Sequence, residues 1–574
     1  MHRYRMGILW LTLLLVASLS GLASGAAFHG AWPYQPPPVG HFNTYVTNNI
    51  PNGGMYWDFV EMPLAMYVWG EDRWVPLLAT SWEIQPPDKF VVKLREGVKW
   101  SDGSDFTAQD VITTFETGRL MNWVVWRFVS EIQAPDDHTV VFTMSTPSTV
   151  VVRYVLRERI RAHSVYGDFA RRVKELVAQG VSTDSDAWNN LRVEFEEFRP
   201  SELVVTGPYR IDPNLITEAQ YTLVKWDGSW IADKVLFDRI VVYNGETPTV
   251  TPLVLAKEVD YATHGFPPAT ELQFTRSGIR VIRPPTYSGP ALYFNFTIPE
   301  FNRKEVRQAI AHVINREENG IVSLGASGVA VEYMAGMSDN LVPLWLSEEN
   351  IARLNRYEHN WEKAEELLRS IGYSRGPDGV WVTDTGKRME YELTMPGEYA
   401  DWSAAAENAA EQLNQFGIKV TVRAINFNQH LIDVNEGRFE MAIRAWGAAN
   451  PHPHFSYVQN LFTHNITPPT GGMKFPMVQE TDVLGTVDLE ALVVASAEGL
   501  DEATHKELVT QLALAYNELL PNVPLWERYG NNPALDGVRV TGWPDDEHPY
   551  YGNSPYADAF ATLFIFEGIL RPAQ

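Results

Sequence analysis

The chain of 574 residues contains no cysteine. That excludes disulfides, thiolate metal sites, cysteine nucleophiles and the lipidated cysteine by which many exported proteins are anchored. Positive charge is also scarce: 46 Lys and Arg stand against 71 Asp and Glu, a formal net charge of -25. Nucleic acid and anionic membrane surfaces are poor partners for such a balance. Past the first residues, no apolar run approaches the length that crosses a bilayer. No GxGxxG, P-loop or zinc-protease motif stands out, so neither sequence motif nor composition supports a cofactor.

What is present begins with His2, Arg3 and Arg5, an apolar block from Ile8 to Leu22, and the small residues Ala23-Ser24-Gly25-Ala26-Ala27. This is the layout of a secretory signal peptide, assigned to residues 1–26, and it places the mature protein outside the cytoplasm. The composition is otherwise that of an ordinary globular protein, 45% hydrophobic and 20% charged, and the length calls for more than one lobe. Aromatics are plentiful, with 19 Trp and 24 Tyr. Most must be core, yet an excess also suits a groove that stacks sugar rings.

Along the chain, Trp32, Pro33, Tyr34 and Pro36 to Pro38 suit an extended lead-in. Phe90 to Arg95 and Thr139 to Met144 alternate as half-buried strands. Thr107-Ala108-Gln109-Asp110 reads as a capping box opening a helix lined by Val111, Phe115 and Leu120. Asp168 to Phe198 reads as an acidic, solvated, helix-prone surface. The run Leu292 to Phe296 reads as a buried strand, and Asn302 is expected to cap a helix whose apolar face is Val306, Ala309, Ile310, Val313 and Ile314. Its polar face would carry Arg303, Lys304, Arg307, Gln308, His312 and Arg316. Asn360 and Asp401 are expected to cap two further helices, closed by Gly372 and Gly417. A strand at Ile418 to Val422 completes an α/β pattern.

These residues resemble the bacterial extracellular solute-binding proteins of family five, the oligopeptide and dipeptide binders that serve ABC importers. The resemblance rests on Pro76 to Glu83, Leu94 to Val111 (LREGVKWSDGSDFTAQDV), Thr206 to Arg210, Leu292 to Arg316 (LYFNFTIPEFNRKEVRQAIAHVINR), Asn360 to Tyr373 and Pro521 to Arg528. It implies a large two-lobed α/β clamp with an extra subdomain in the first lobe and a ligand cleft between lobes. The expected division is 27–70, 205–295 and 530–574 for the first lobe, 71–204 for the extra subdomain and 296–529 for the second lobe. The chain would cross the hinge at Leu292 to Phe296.

Pro396 to Trp402, Glu436 to Glu440, Trp446 to His454 and Gly542 to Pro544 are similar to the branch of that family that takes carbohydrates, among them cello- and chito-oligosaccharides. Peptide-binding members typically carry an aspartate after the tryptophan at this place to hold the peptide's amino terminus. Here Gly447 to His452 contains no acid, and an uncompensated buried ammonium costs several kcal/mol. A sugar needs flat aromatic platforms and a rim of donors and acceptors. Tyr399, Trp402, Trp446 and Trp543 are the candidate platforms, although Trp402 also fits the apolar face of its helix. Asn43, Asn450, Glu398 and Arg528 are the candidate rim.

His452, His454 and His464 read as loop residues rather than metal ligands, and Ser101 as part of a tight turn rather than a nucleophile. Carboxylates are too abundant for any pair to mark a glycosidase. The expectation is a monomeric, non-enzymatic binder of oligosaccharides, on the periplasmic or extracellular face of the membrane. It would work with ABC permease subunits and need no cofactor or metal. An oligopeptide binder and a secreted carbohydrate-active enzyme are the alternatives.

Overall fold

The computed structural model describes residues 25–33, 40–51, 53–466 and 472–574. The signal segment to residue 24 and most of the proline-rich lead-in, residues 34–39, lie outside these.

Two mixed sheets, each with its own helices, form the two lobes. The first has seven strands in the order Arg280–Ile282, Asn532–Ala534, Tyr261–Ala262, Ala27–Trp32, Arg239–Asn244, Gln220–Lys225 and Tyr209–Ile211. Its centre is parallel: Ala27–Trp32 pairs with both Arg239–Asn244 and Tyr261–Ala262 in that sense. The second has five strands, Lys419–Ile425, Glu390–Pro396, Met441–Gly447, Ser288–Phe294 and Asn522–Pro524. Separate apolar cores underlie the two sheets. The chain is thus a two-lobed α/β clamp.

An antiparallel four-stranded sheet lies on the first lobe, in the order Ala79–Gln85, Lys89–Leu94, Thr139–Met144 and Val129–Asp136. Phe90, Val92 and Leu94 point inward together, as period-two alternation requires. Against it packs the helix Ala108–Leu120, opened by the expected capping box of Thr107 and Asp110. The acidic stretch is more than a solvated surface. It forms the helices His163–Ala178 and Asp186–Glu197, which bury Tyr166, Phe169, Trp188, Leu191 and Phe195 in a small core of their own.

The strand around Leu292 does not cross between lobes. Ser288–Phe294 sits inside the second sheet, paired on one side with Met441–Gly447 and on the other with Asn522–Pro524. The crossing comes earlier, where Pro285 bridges Tyr529 of the returning segment. The two connections are hydrogen-bonded to one another: Gly530 N–H donates to the Pro284 carbonyl at 2.7 Å and Thr286 N–H to the Arg528 carbonyl at 3.0 Å.

The helix after this strand runs Lys304–Val313, and its expected apolar residues are all fully buried. Asn302 does not cap it, donating instead to the Phe296 carbonyl at 2.8 Å. Arg307 and Arg316 are buried rather than solvated. Arg307 donates to the carbonyls of Phe301, Leu519 and Leu520, and Arg316 to those of Ala311, Val331, Arg356 and Tyr357. Each guanidinium closes off carbonyls that would otherwise be orphaned. Asn360 caps the helix Trp361–Ser370 through Lys363 N–H, and Gly417 ends Ala400–Phe416 at φ 92°.

Candidate functional site

A cavity of about 350 Å³ opens between the lobes. From the second lobe it takes the start of the helix Ala400–Phe416. Tyr399 stands just before this helix, Asp401 and Trp402 in its first turn, and Phe427 opens the next helix, Phe427–Asn435. The Tyr399 ring meets Trp402 edge-on at 5.3 Å and Phe427 at 5.2 Å, so the rings form one apolar wall. From the first lobe come Trp32, at the end of its strand, and Tyr556, whose rings meet edge-on at 6.1 Å. Aromatic surface therefore faces the cavity from both sides.

Polar groups are set between these walls. Asp401 is not the helix cap that its sequence position suggested, because the helix begins at Ala400 and carries Asp401 inward. Its Oδ1 accepts from Trp402 N–H at 3.0 Å, while Oδ2 lies 3.7 Å from Nη1 of Arg528 and accepts no hydrogen bond. Burial pushes this carboxyl up and Arg528 opposes the shift. Arg528 ends the strand Trp526–Arg528, next to the hinge, with its guanidinium 5.7 Å from the Tyr556 ring.

On the facing lobe, Gly265 presses directly against that pair. A Cβ there would lie 2.9 Å from Arg528 Nη2 and 3.0 Å from Asp401 Oδ2, so only a hydrogen leaves the ion pair undisturbed. His264 beside it is 2% exposed, and its Nε2 lies 2.7 Å from the Gly245 carbonyl. A carbonyl accepts, so Nε2 carries the proton and Nδ1 presents a lone pair. Burial lowers this imidazole to about 4, which keeps it neutral. Glu246 precedes the helix Thr247–Leu255 and is raised to about 7, first by burial, then by the nearby charge of Asp401. Arg444 reaches the cavity from the second sheet between two imidazoles, each 3.4 Å away, His430 and His464.

Of the residues singled out in the sequence, Tyr399, Trp402 and Arg528 come together here. Glu398 is exposed at the rim, where its carboxylate accepts from Phe427 N–H and the Asn426 amide. The others are elsewhere. Trp446 is fully buried under the hinge, donating to the Trp526 carbonyl at 3.2 Å. Trp543 packs in the first core against Tyr261, its Nε1 donating to the Leu535 carbonyl. Asn43 is fully buried and ties down the end of the helix Asp186–Glu197 through the carbonyls of Phe195 and Phe198. Asn450 accepts from His452 N–H within its own loop.

Sequence reasoning missed Trp32, Glu246, His264, Phe427, Arg444 and Tyr556 as site residues. Only the His264-Gly265 pair directly after a strand carried a local signal. His454 and His464 are buried and His452 is part-buried, and desolvation lowers all three imidazoles. Among the described residues no group of three or more His, Asp or Glu side chains is arranged to hold a metal ion.

A clamp of two α/β lobes joined by paired connections, with an aromatic and polar cavity between them, is the architecture of a solute-binding protein. Residues 73–467 match the middle region of the bacterial extracellular solute-binding proteins, family 5, and the chain belongs to that family. Among curated relatives it aligns with the glutathione-binding protein GsiB of Pectobacterium atrosepticum, 24% identical over 391 residues. That alignment covers 65% of this chain and 66% of the relative, so it spans about two thirds of each.

Solved structures share the fold across nearly the whole length. The periplasmic oligopeptide-binding protein of Thermotoga maritima superposes with a TM-score of 0.78 at 19% identity, covering 96% of this chain and 100% of that one. A mannohexaose complex of that protein gives 0.74 at 19% identity, over 96% and 99%. The oligopeptide-binding protein AppA of Bacillus subtilis, in complex with a nonapeptide, gives 0.68 at 15%, over 96% and 99%.

Proposed function

We propose that this chain is the exported, monomeric solute-binding component of an ABC importer. It captures β-linked oligosaccharides in the cleft and presents them to a membrane permease without chemical change. The observation that carries the saccharide reading is the set of rings on opposing lobes, Trp32 and Tyr556 against Tyr399, Trp402 and Phe427, around a cavity with isolated polar groups. A sugar offers an apolar C–H face to such rings and hydroxyls to the groups between them. The mannohexaose bound by a relative of the same fold is in keeping with this.

Closure supplies the mechanism. Contacts with both lobes exist only when the lobes approach, so a ligand stabilises the closed form by its differential affinity for it. The paired hinge connections at Pro285 and Tyr529 let the lobes move as units. Gly265 permits the close approach of its wall to Asp401 and Arg528 on the facing wall.

The charged pair Asp401 and Arg528 favours a second reading, a short peptide held at its ends, and relatives are named for glutathione and oligopeptides. Tryptophan fluorescence titration separates the two. Saturable signals with gluco-, manno- and chito-oligosaccharides and none with peptides are expected, and the reverse pattern removes the saccharide reading. Product analysis after prolonged incubation with a bound sugar is expected to return it intact; shorter fragments would make the protein an enzyme.

A further inference from the structure

Arg307, Arg316 and Arg444 of the second lobe are each more than nine-tenths buried. The first two are filled by backbone: Arg307 donates to three carbonyls and Arg316 to four. Arg444 is different. Among the described residues it meets no carbonyl and no carboxylate, and its acceptors are two imidazole nitrogens, His464 Nε2 for Nε and His430 Nδ1 for Nη1. Both lie at 3.4 Å, long for a hydrogen bond. The second Nη1 hydrogen and both on Nη2 are left over. Arg444 is also the one of the three that lines the cavity between the lobes, and its Nη2 is not sealed off there as Arg528 Nε is.

The other charges of the cavity do not balance it. Asp401 lies 3.7 Å from Arg528, so those two answer each other. Glu246, on the first lobe, feels the charges of Asp401, Arg528 and Glu398, whereas Arg444 feels the phenols of Tyr293 and Tyr399. Burial lowers the Arg444 guanidinium, but an arginine keeps its proton throughout the physiological range. The Phe427 ring, 5.8 Å from the guanidinium carbon, offers a cation–π contact and no countercharge.

Closure of the lobes takes water away from Nη2. A ligand hydroxyl replaces that water with a neutral hydrogen bond and leaves a desolvated charge unbalanced. A carboxylate accepts from Nη1 and Nη2 together and brings the missing charge. The rings beside Arg444, Tyr399 and Phe427, are the ones on which a pyranose would rest.

We infer that the ligand carries a carboxylate that seats on Arg444, which makes it a β-linked oligosaccharide containing uronic acid units. This rests on the saccharide reading above and adds a preference that neutral sugars do not satisfy.

Calorimetric titration at pH 7.5 tests it with two matched pairs of trimers, β-linked glucuronate against glucose and β-linked mannuronate against mannose, and with tetraalanine. In at least one pair the uronate is expected to bind about ten- to a hundredfold more tightly than the neutral sugar, the range for hydrogen bonds to charged groups. Arg444→Met, which fills similar space without charge, should bring that ratio towards one. Arg444→Lys keeps the charge without the planar fork and should leave an intermediate ratio, so it keeps the test sound if a thermal melt shows that Arg444→Met does not fold. Neutral trimers bound as tightly as the uronates by the unaltered protein, or a preference that survives in folded Arg444→Met, overturn the carboxylate seat and leave the saccharide reading standing. Binding of tetraalanine and of none of the four sugars overturns both.

Discussion

Asn531 grips the backbone of Phe266 with both ends of its amide. Phe266 N–H donates to Oδ1 at 3.1 Å, and Nδ2 donates to the Phe266 carbonyl at 2.7 Å. Asn531 belongs to the returning hinge connection, and Phe266 follows His264 and Gly265 on the cleft wall. The contact therefore ties the position of that wall to the hinge. Asn531→Ala strands two buried backbone groups, each worth about 1–3 kcal/mol. Denaturant unfolding should show a loss of about 2–4 kcal/mol. Titration of the folded variant should show ligand affinity weakened about tenfold as His264 and Gly265 lose their placement. Affinity unchanged at reduced stability would show that the wall is held by other contacts.

The tryptophans and tyrosine of the sequence reading now divide into two groups with opposite expected behaviour. Tyr399→Ala and Trp402→Ala remove part-exposed rings from the cavity wall, so sugar affinity should fall about tenfold or more while the melting temperature moves little. Trp446→Ala and Trp543→Ala open holes in the cores of the second and first lobes, at a cost of about 3–5 kcal/mol each. Paired melting curves and titrations on the four variants check this division. A Trp446→Ala protein as stable as the parent but unable to bind would place that ring back in the cleft.

That division also shows what could be read from the chain. Helix capping, strand alternation and the glycine that ends Ala400–Phe416 are local, and they appear as expected at Thr107, Phe90 to Leu94 and Gly417. Tyr399 and Trp402 were legible because they flank a helix start in a segment with a recognisable pattern. Trp446 was misread because its strand is covered on both sides once Ser288–Phe294 and the hinge segment pack against it, a long-range arrangement that alternation does not reveal. Arg307 and Arg316 lie at polar helical positions, yet carbonyls far along the chain draw them inside. Trp32 and Tyr556 are 524 positions apart and meet only through the folding of the first lobe.

Asp558 ties the helix Val150–Leu156 and the Arg157 that ends it to the C-terminal segment. Fully buried, it is paired with Arg153 at 2.6 Å and Arg157 at 3.0 Å, while Arg157 also reaches Asp58 at 2.7 Å. Its φ of 55° is a conformation that asparagine tolerates, so Asp558→Asn removes the charge without straining the backbone. Leaving buried guanidinium groups without their counter-charge costs about 3–5 kcal/mol. Chemical denaturation should show a loss of that order. A change below about 1 kcal/mol would mean that Asp58 alone balances the cluster.

The imidazoles beside Arg444 predict how stability responds to acid. His464 is lowered to about 3 and His430 to about 4, in both cases by burial first and by Arg444 next. His464 Nε2 accepts from Arg444 Nε at 3.4 Å and its Nδ1 faces Asn435 Oδ1 at 2.9 Å, a pairing that only the neutral ring can make. Unfolded, each ring binds a proton near pH 6.5; folded, it does so only below about 4. The unfolded state therefore binds more protons as pH falls from 6.5, and stability drops by about 1.4 kcal/mol per pH unit for each ring across that window. Glutamine at 464 can donate to Asn435 and accept from Arg444 but does not titrate. Unfolding free energies measured from pH 6.5 to 4.5 should fall less steeply in His464→Gln than in the parent, by about that slope. Parallel profiles would show that His464 is protonated in the folded protein as readily as in the unfolded chain, against the neutral pairing seen here.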